Sequence, residues 1–191
     1  AVGDDPWGRQ IRADLEARGV DTGGLETVAA GRTALSVAAV RPDGERAFVS
    51  DFACLNSADT SVIDRGWATV RAAAIACLLG VFSWPGLSLR GSAALFARAR
   101  AAGVATMLDT GWDPCGWQPE TLAALRELLG QTTIFMPNQD EAAAITGRPE
   151  PEEAARALAG LGPELVVVKM GGQGSIAFCA GRILRQPALP V

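Results

Sequence analysis

Histidine and tyrosine are both absent from the 191 residues of this chain. Without histidine, the chain cannot form a Ser-His-Asp triad, a Cys-His dyad or a histidine-ligated metal site. Any acid or base that it supplies must therefore be Asp, Glu, Lys or Cys. The four cysteines are widely separated and form no Cys-x-x-Cys pair, so neither a zinc site nor a redox motif is indicated. We interpret them as free thiols in a reducing compartment, which predicts a cytoplasmic protein.

Long apolar runs and clusters of positive charge are also lacking. The longest apolar run, Ala72 to Phe82, has 11 residues and is too short to span a bilayer. The first residues show no pattern of a secretory signal. The chain has 17 basic and 21 acidic residues, and the basic ones are scattered rather than clustered. We therefore expect a globular, acidic, small-molecule enzyme that binds neither nucleic acid nor membrane.

Apolar runs alternate with helical patterns from about residue 72 onward. Parallel strands joined by crossover helices produce such an alternation, which predicts an α/β fold with a largely parallel sheet flanked by helices. The predicted strands are 75–82, 104–109, 133–137 and 165–169, and the predicted helices are 92–102, 119–129, 139–146 and 151–161. A short hairpin is predicted over 175–184.

The first fifty residues follow a different pattern. Asp5 and Pro6 form an N-cap and first-turn signal for a helix that Gly19 ends. The β-capable runs 34–40 and 46–50 then flank Pro42-Asp43-Gly44, a strong turn signal, which predicts a β-hairpin. The pattern shows no strand before the first helix and ends in an extended segment at Pro190-Val191. We therefore expect a sheet that lacks members at both sequence ends.

Four short strings follow one another in a characteristic order. They are Val2-Gly3-Asp4-Asp5-Pro6-Trp7-Gly8, Gly19-Val20-Asp21-Thr22, Arg32-Thr33 and Asp43-Gly44-Glu45-Arg46. The first string alone would be a helix start, but the whole series resembles the ribokinase-like carbohydrate kinases of the phosphofructokinase B type. The resemblance implies a β-hairpin lid at about 32–50 that covers a sugar. Arg32, Thr33 and Arg46 would then belong to the substrate and lid region.

Asn138-x-x-Glu141 is the most specific motif in the chain. At a strand-to-helix junction it predicts a capping box, with Asn138 at the N-cap and Glu141 three residues later. The family resemblance assigns the same motif to the phosphates and Mg²⁺, with the carboxylate acting on the metal through water. The two interpretations are compatible, since capping fixes the backbone while the carboxylate supplies oxygen.

A glycine-rich turn follows the predicted strand 165–169. Such a turn lets backbone N–H groups approach an anion at the carboxyl end of a strand. By resemblance, Lys169, Gly171, Gly172 and Gly174 border the nucleotide, although Lys169 could equally be a solvated charge at a strand end. The spacing Gly172-x-Gly174-x-x-Ala177 also fits a dinucleotide fingerprint, but that motif requires a following helix and a strand is predicted here.

Asp109 ends another predicted strand at the same edge of the sheet. The family often carries Asp-x-Asn-x-Arg here, whereas this chain has Gly111 and Asp113 at the Asn and Arg positions. Only Asp109 matches the family pattern, and the resemblance places it in the substrate region. Trp84, Trp112 and Trp117 could line a pocket or simply pack.

The resemblance implies transfer of the γ-phosphoryl group of ATP to a sugar hydroxyl. ATP and Mg²⁺ would be the cofactors, with a monovalent cation left open, and the sugar would be the substrate. Because exposed hairpins are seldom stable alone, we expect the lid to pair with the lid of a second subunit. One apolar hairpin face containing Leu35, Val37 and Phe48 would form that contact. We expect residues 1–191 to form one incomplete kinase domain, inactive alone, because the family's catalytic Asp would follow Val191. The alternative is a noncatalytic α/β module that binds a nucleotide or sugar.

Overall fold

The computed structural model describes residues 1–44, 46–56 and 59–189, which fall into two compact units. Unit 1 contains residues 1–69 and 83–87, and unit 2 contains residue 70 to residue 82 and the chain from residue 88 onward. Two parts of the sequence prediction lie outside the described residues: Glu45 in the hairpin turn, and the terminal Pro190-Val191.

The helices and strands follow one another in a regular order. In the first part of the chain they are β1 (Val2–Gly3), α1 (Pro6–Ala17), β2 (Thr27–Val28), β3 (Leu35–Val40), β4 (Arg46–Asp51), α2 (Thr60–Arg65) and α3 (Trp67–Ala72). They continue with β5 (Ile75–Leu79), α4 (Leu89–Ala101), β6 (Ala105–Asp109), α5 (Pro119–Leu129), β7 (Ile134–Phe135), α6 (Gln139–Thr146), α7 (Pro151–Ala159), β8 (Leu165–Lys169), β9 (Ser175–Cys179) and β10 (Arg182–Gln186).

The main sheet of unit 2 has the order β10-β9-β8-β7-β6-β5. Strands β5 to β8 run parallel, while β9 and β10 are antiparallel additions. The predicted α/β fold is thus confirmed. Its core consists of fully buried side chains from helices and strands, including Phe96, Leu108, Leu125, Phe135 and Val166. Strand β5 stops at Leu79, earlier than predicted, and in the described structure it pairs with β6 alone.

Helix α1 begins as the sequence predicts. The Asp5 side chain caps it by accepting a hydrogen bond from the N–H of Gly8 at 2.8 Å. The expectation that no strand precedes this helix is wrong, because β1 lies there and pairs in parallel with β2. A two-residue strand is too short to show an alternating pattern in the sequence.

The predicted hairpin is present, with β3 antiparallel to β4. Val37 lies opposite Val49, and Ala38 lies opposite Phe48. Successive residues of a strand point to opposite faces, so Leu35, Val37 and Val49 share one face while Ala38 and Phe48 share the other. The prediction that Phe48 lies on the same face as Leu35 and Val37 is therefore wrong. The hairpin exposes apolar side chains on both faces.

A compact hydrogen-bond cluster, the Asp5–Thr33 clamp, ties the start of α1 to the root of the hairpin. Asp5 accepts from the N–H and the hydroxyl of Thr33, both at 2.7 Å, and the Thr33 hydroxyl oxygen accepts from the N–H of Gly3 at 2.9 Å. The hydrogen bonds that Asp5 itself accepts, led by the one from the Thr33 N–H and followed by the one from the Gly8 N–H, lower the pKa of its carboxyl. Strand β1 lies close to both segments, since a Cβ on Gly8 would lie 2.1 Å from the carbonyl oxygen of Gly3 and a Cβ on Gly3 would lie 2.5 Å from the backbone nitrogen of Thr33.

Among the described residues, no helix combines the length and the apolar character needed to cross a membrane.

We predict that Thr33→Val destabilises the chain. Valine keeps the shape of threonine but leaves the buried N–H of Gly3 without its acceptor and removes one bond to Asp5. The free energy of unfolding should fall by about 1–3 kcal/mol, the usual effect of removing one partner from a buried hydrogen bond. Urea unfolding measures this, with Thr69→Val at an exposed position of α3 as the matched control. Equal unfolding midpoints for the two variants would contradict the role of the clamp.

Candidate active site

Three polar residues meet at the carboxyl edge of the parallel strands. Asp109 is the last residue of β6, Lys169 is the last residue of β8, and Asn138 follows the intervening β7. The N–H of Lys169 donates to the carbonyl of Pro137 at 2.9 Å, and Asn138 forms a parallel bridge with Lys169. This is the edge at which open α/β sheets bind ligands.

Asp109 and Lys169 form an ion pair across the end of β7. The Lys169 Nζ donates to Asp109 Oδ2, and both side chains are partly exposed. The sequence predicted that each residue lies at this edge but not that the two form a pair. Lys169 is therefore more than a solvated charge at the end of a strand.

Helix α6 places Glu141 beside this pair through the predicted capping box. Asn138 Oδ1 accepts from the N–H of Glu141 at 2.8 Å, while Glu141 Oε2 accepts from the N–H of Asn138 at 2.9 Å. A third bond runs from Asn138 Nδ2 to Glu141 Oε1 at 2.9 Å. Glu141 is only 3% exposed. Each carboxylate oxygen accepts one protein hydrogen bond and keeps a further lone-pair direction for water.

The electrostatics of Glu141 reflect its burial. Desolvation raises the pKa of its carboxyl above the ordinary value, and the negative charge of Asp109 raises it further. The hydrogen bond from the Asn138 backbone and the positive charge of Lys169 act in the opposite direction on this pKa. Lys169 thus helps to keep Glu141 ionised.

The glycine-rich turn follows β8 directly, and its glycines differ in their surroundings. Gly174 has a φ of +87°, and a Cβ there would lie 2.0 Å from the carbonyl oxygen of Gln186. A Cβ on Gly171 or Gly172 would meet no described atom within 4 Å, although the φ of +55° at Gly171 also favours glycine. Gly174 is therefore required by the fold, whereas Gly171 and Gly172 border open space. The dinucleotide fingerprint is excluded, because β9 rather than a helix follows the turn.

The loop after Asp109 is organised by Asp113. Its carboxylate is almost fully buried and accepts from the N–H groups of Cys115 at 2.9 Å and Trp117 at 2.8 Å. The Trp117 ring packs edge-on against Phe82 and Trp112, with centroids 5.5 Å and 5.6 Å apart. Trp117 is thus a packing residue and Trp112 is exposed, while Trp84 belongs to unit 1.

The remaining predicted residues belong to unit 1. Thr33 is buried in the clamp, and Arg32 forms an ion pair with Asp51, with Nη2 and Oδ2 2.9 Å apart. Arg46 is exposed at the start of β4, opposite Val40.

The carboxylates at this edge suit a magnesium ion that keeps most of its water. Among the described residues, no group of three or more His, Cys, Asp or Glu side chains is arranged to hold a metal. Mg²⁺ commonly binds through one or two carboxylates together with water and substrate phosphates. Glu141 and Asp109 fit that limited role.

A family model described as pfkB family carbohydrate kinase matches residues 1–191 of the chain. A cytidine kinase of Thermococcus kodakarensis is 40% identical over 67 residues, a segment that covers 35% of this chain and 24% of the kinase.

Solved structures share the fold over the whole chain. Arabidopsis thaliana ribokinase complexed with ribose and ATP superposes with a TM-score of 0.79 at 25% identity, covering 99% of this chain and 60% of the ribokinase. An adenosine kinase of Sinorhizobium meliloti gives a TM-score of 0.82 at 22% identity, covering 100% of this chain and 57% of that kinase. The chain thus spans less than two thirds of the length of these proteins.

The raised pKa of Glu141 predicts a specific pH dependence of stability. The folded state holds the proton more tightly than the unfolded state, whose carboxyl titrates near 4.5. Wild-type stability should therefore fall relative to Glu141→Gln as the pH rises from about 4.5 through the raised pKa, and the difference should level off above it.

Urea unfolding of both proteins between pH 4 and pH 8 measures this difference. Glu120→Gln, at an exposed position in the first turn of α5, is the control and should track the wild type. A constant difference between the wild type and Glu141→Gln over the whole range would contradict the burial effect.

Proposed function

Because the chain belongs to the pfkB family of carbohydrate kinases, we propose that the complete protein transfers the γ-phosphoryl group of ATP to a sugar hydroxyl, with Mg²⁺ as the metal. The observation that carries this proposal is the grouping of Asp109, Asn138, Glu141 and Lys169 beside an open glycine turn. Such an edge offers backbone N–H groups and one cation to an anion, and carboxylates to a metal.

Each group has a distinct part in the proposed site. Gly171 and Gly172 would let the nucleotide phosphates approach the backbone, and Lys169 would bind a phosphate oxygen in addition to Asp109. Asn138 would hold Glu141 in place, and Glu141 would orient water bound to the metal. Bound Mg²⁺ would neutralise charge on the phosphate oxygens. A carboxylate of the complete protein would act as the base that accepts the hydroxyl proton.

The hairpin of β3 and β4 is proposed as the lid over the sugar. Arg32, Thr33 and Arg46 lie on or beside it, and the clamp fixes its root. Its second exposed face, with Ala38 and Phe48, is proposed to pair with the lid of a second subunit, because isolated hairpins are rarely stable in water. Sedimentation of the complete protein as a monomer would contradict that pairing. A cytoplasmic location also remains a prediction.

We predict that Glu141→Gln in the complete protein lowers turnover and raises the Mg²⁺ concentration needed for half-maximal rate. Glutamine can still accept from the Asn138 N–H, but its amide lacks the charge that orients metal-bound water. Loss of such an outer-sphere partner typically costs 10–100-fold, so we expect a change of roughly that size. Sugar-dependent ADP release over a magnesium titration measures it, with Glu120→Gln as the control. Unchanged kinetics would leave Glu141 with a capping role alone.

A second prediction separates the two kinds of glycine in the turn. Gly172→Ala should leave the unfolding midpoint unchanged, because its Cβ enters open space, but should raise the KM for ATP about tenfold, equivalent to ~1.4 kcal/mol. Gly174→Ala should instead destabilise the fold, because its Cβ would collide with the backbone of Gln186. An unchanged KM for ATP in Gly172→Ala would place the phosphates elsewhere.

The complete protein and its Gly172→Ala variant also test the noncatalytic alternative. If the complete protein is a binding module, it should bind ATP, and Gly172→Ala should weaken that binding. No sugar should then cause the release of ADP. ADP release that depends on a sugar would exclude this alternative.

A further inference from the structure

Lys169 is the only lysine among the 17 basic residues of the chain. It is the last residue of β8 and stands just before the glycine turn. Lysine and arginine carry the same charge, but lysine presents it as a compact ammonium with three rotatable donors, whereas arginine presents a planar fork. A chain that uses arginine at every other basic position therefore places a point charge at this one.

The ammonium group of Lys169 extends from β8 toward β6. Strand β7 lies between these two strands, and the Lys169 Nζ donates to Asp109 Oδ2 at the end of β6. One of the three N–H groups is thus bonded to Asp109, and the Lys169 side chain is still 39% exposed. A phosphate group that enters beside the glycine turn would meet an ammonium that a carboxylate already neutralises.

The edge around this pair carries more negative than positive charge. The charges of Asp109, Lys169 and Asp140 all act on the carboxyl of Glu141. Within this described cluster, three carboxylates therefore accompany a single ammonium. The backbone N–H groups of Asn138 and Glu141 are both bonded within the capping box. An anion that arrives here is consequently repelled by the carboxylates, and the nearest cation is already paired.

This balance of charge distinguishes two forms of the nucleotide. Metal-free ATP is a polyanion, so the carboxylate of Asp109 repels it and weakens the attraction of Lys169 for it. In the magnesium complex of ATP, the metal cancels part of the phosphate charge, and carboxylates attract the metal through its bound water. The charge of Asp109 therefore opposes the binding of metal-free ATP more than the binding of the magnesium complex.

We propose that Asp109 is a specificity-determining residue for the nucleotide. By neutralising Lys169, it makes the site select the magnesium complex of ATP over metal-free ATP. This inference rests on the proposed kinase function and adds to it, because an unpaired Lys169 would attract both forms. The selection matters for turnover, since metal-free ATP lacks the metal charge that stabilises the transferring phosphoryl group and would occupy the site without reacting.

The test is calorimetric titration of the complete protein with ATP, once in EDTA and once in excess Mg²⁺. Asp109→Asn keeps the shape of the side chain and an acceptor for Lys169 but removes the charge. Metal-free ATP should bind about tenfold more tightly to Asp109→Asn than to the wild type, since a charge within about 6 Å changes an ionic equilibrium by at least that factor. The affinity for the magnesium complex should change much less.

Two further variants sharpen the test. Asp140→Asn makes the same chemical change at an exposed position of the neighbouring helix, where salt screens the charge, and should leave the Kd for metal-free ATP at the wild-type value. Lys169→Gln leaves Asp109 without its counter-charge. It should therefore weaken the binding of metal-free ATP more than that of the magnesium complex, which is the opposite change in selectivity from that of Asp109→Asn.

The outcomes separate this inference from the kinase proposal. Equal Kd values for metal-free ATP in the wild type and Asp109→Asn, or an equal gain in Asp140→Asn, would overturn the inference and leave the kinase function intact. Weaker binding of the magnesium complex alone in Asp109→Asn would make this residue a metal-binding group and also overturn it. If the expected gain appears but no sugar causes ADP release, the inference is supported and the kinase proposal fails. If the complete protein binds neither form of ATP, both are overturned.

Discussion

The charge balance at the carboxyl edge of the parallel strands rests on the pair between Lys169 and Asp109. The negative charge of Asp109 lies close enough to disfavour the ionised form of Glu141 and so raises the pKa of that carboxyl. The ammonium group of Lys169 offsets this repulsion. The pair also joins the end of β6 to the end of β8 across β7, next to the parallel bridge between Asn138 and Lys169.

Much of the fold could be predicted because strong local signals mark its boundaries. Pro119 and the capping pair Asn138 and Glu141 sit where the sequence indicates the starts of α5 and α6, and the structure agrees. The helices α2 and α3 were not predicted, because six residues are too few to show a helical period, even though Asp59 caps α2. The two-residue β1 was missed for the same reason.

In the candidate site, contacts between residues close in sequence could be predicted, and contacts between distant residues could not. The hydrogen bonds between Asn138 and Glu141 span three residues and follow from the capping box. The pair of Asp109 and Lys169 spans 60 residues and requires the order of the strands. The face that Phe48 occupies depends on the pairing register, which the alternation within one strand does not specify. Likewise, the sequence does not distinguish Gly174, which the fold requires, from Gly171 and Gly172.

Both strands of the hairpin are anchored at its root, β3 by Thr33, which precedes it, and β4 by its last residue, Asp51. The hairpin between these anchors can change length without breaking the hydrogen bonds between Asp5 and Thr33. A gain or loss of two residues in each strand preserves the faces of all remaining side chains, whereas a change of one residue exchanges them. During evolution the hairpin can therefore lengthen or shorten in paired steps while Leu35 and Val49 keep their orientation. Among members of the family, insertions in this hairpin should accordingly accumulate at the turn, far from the anchored root.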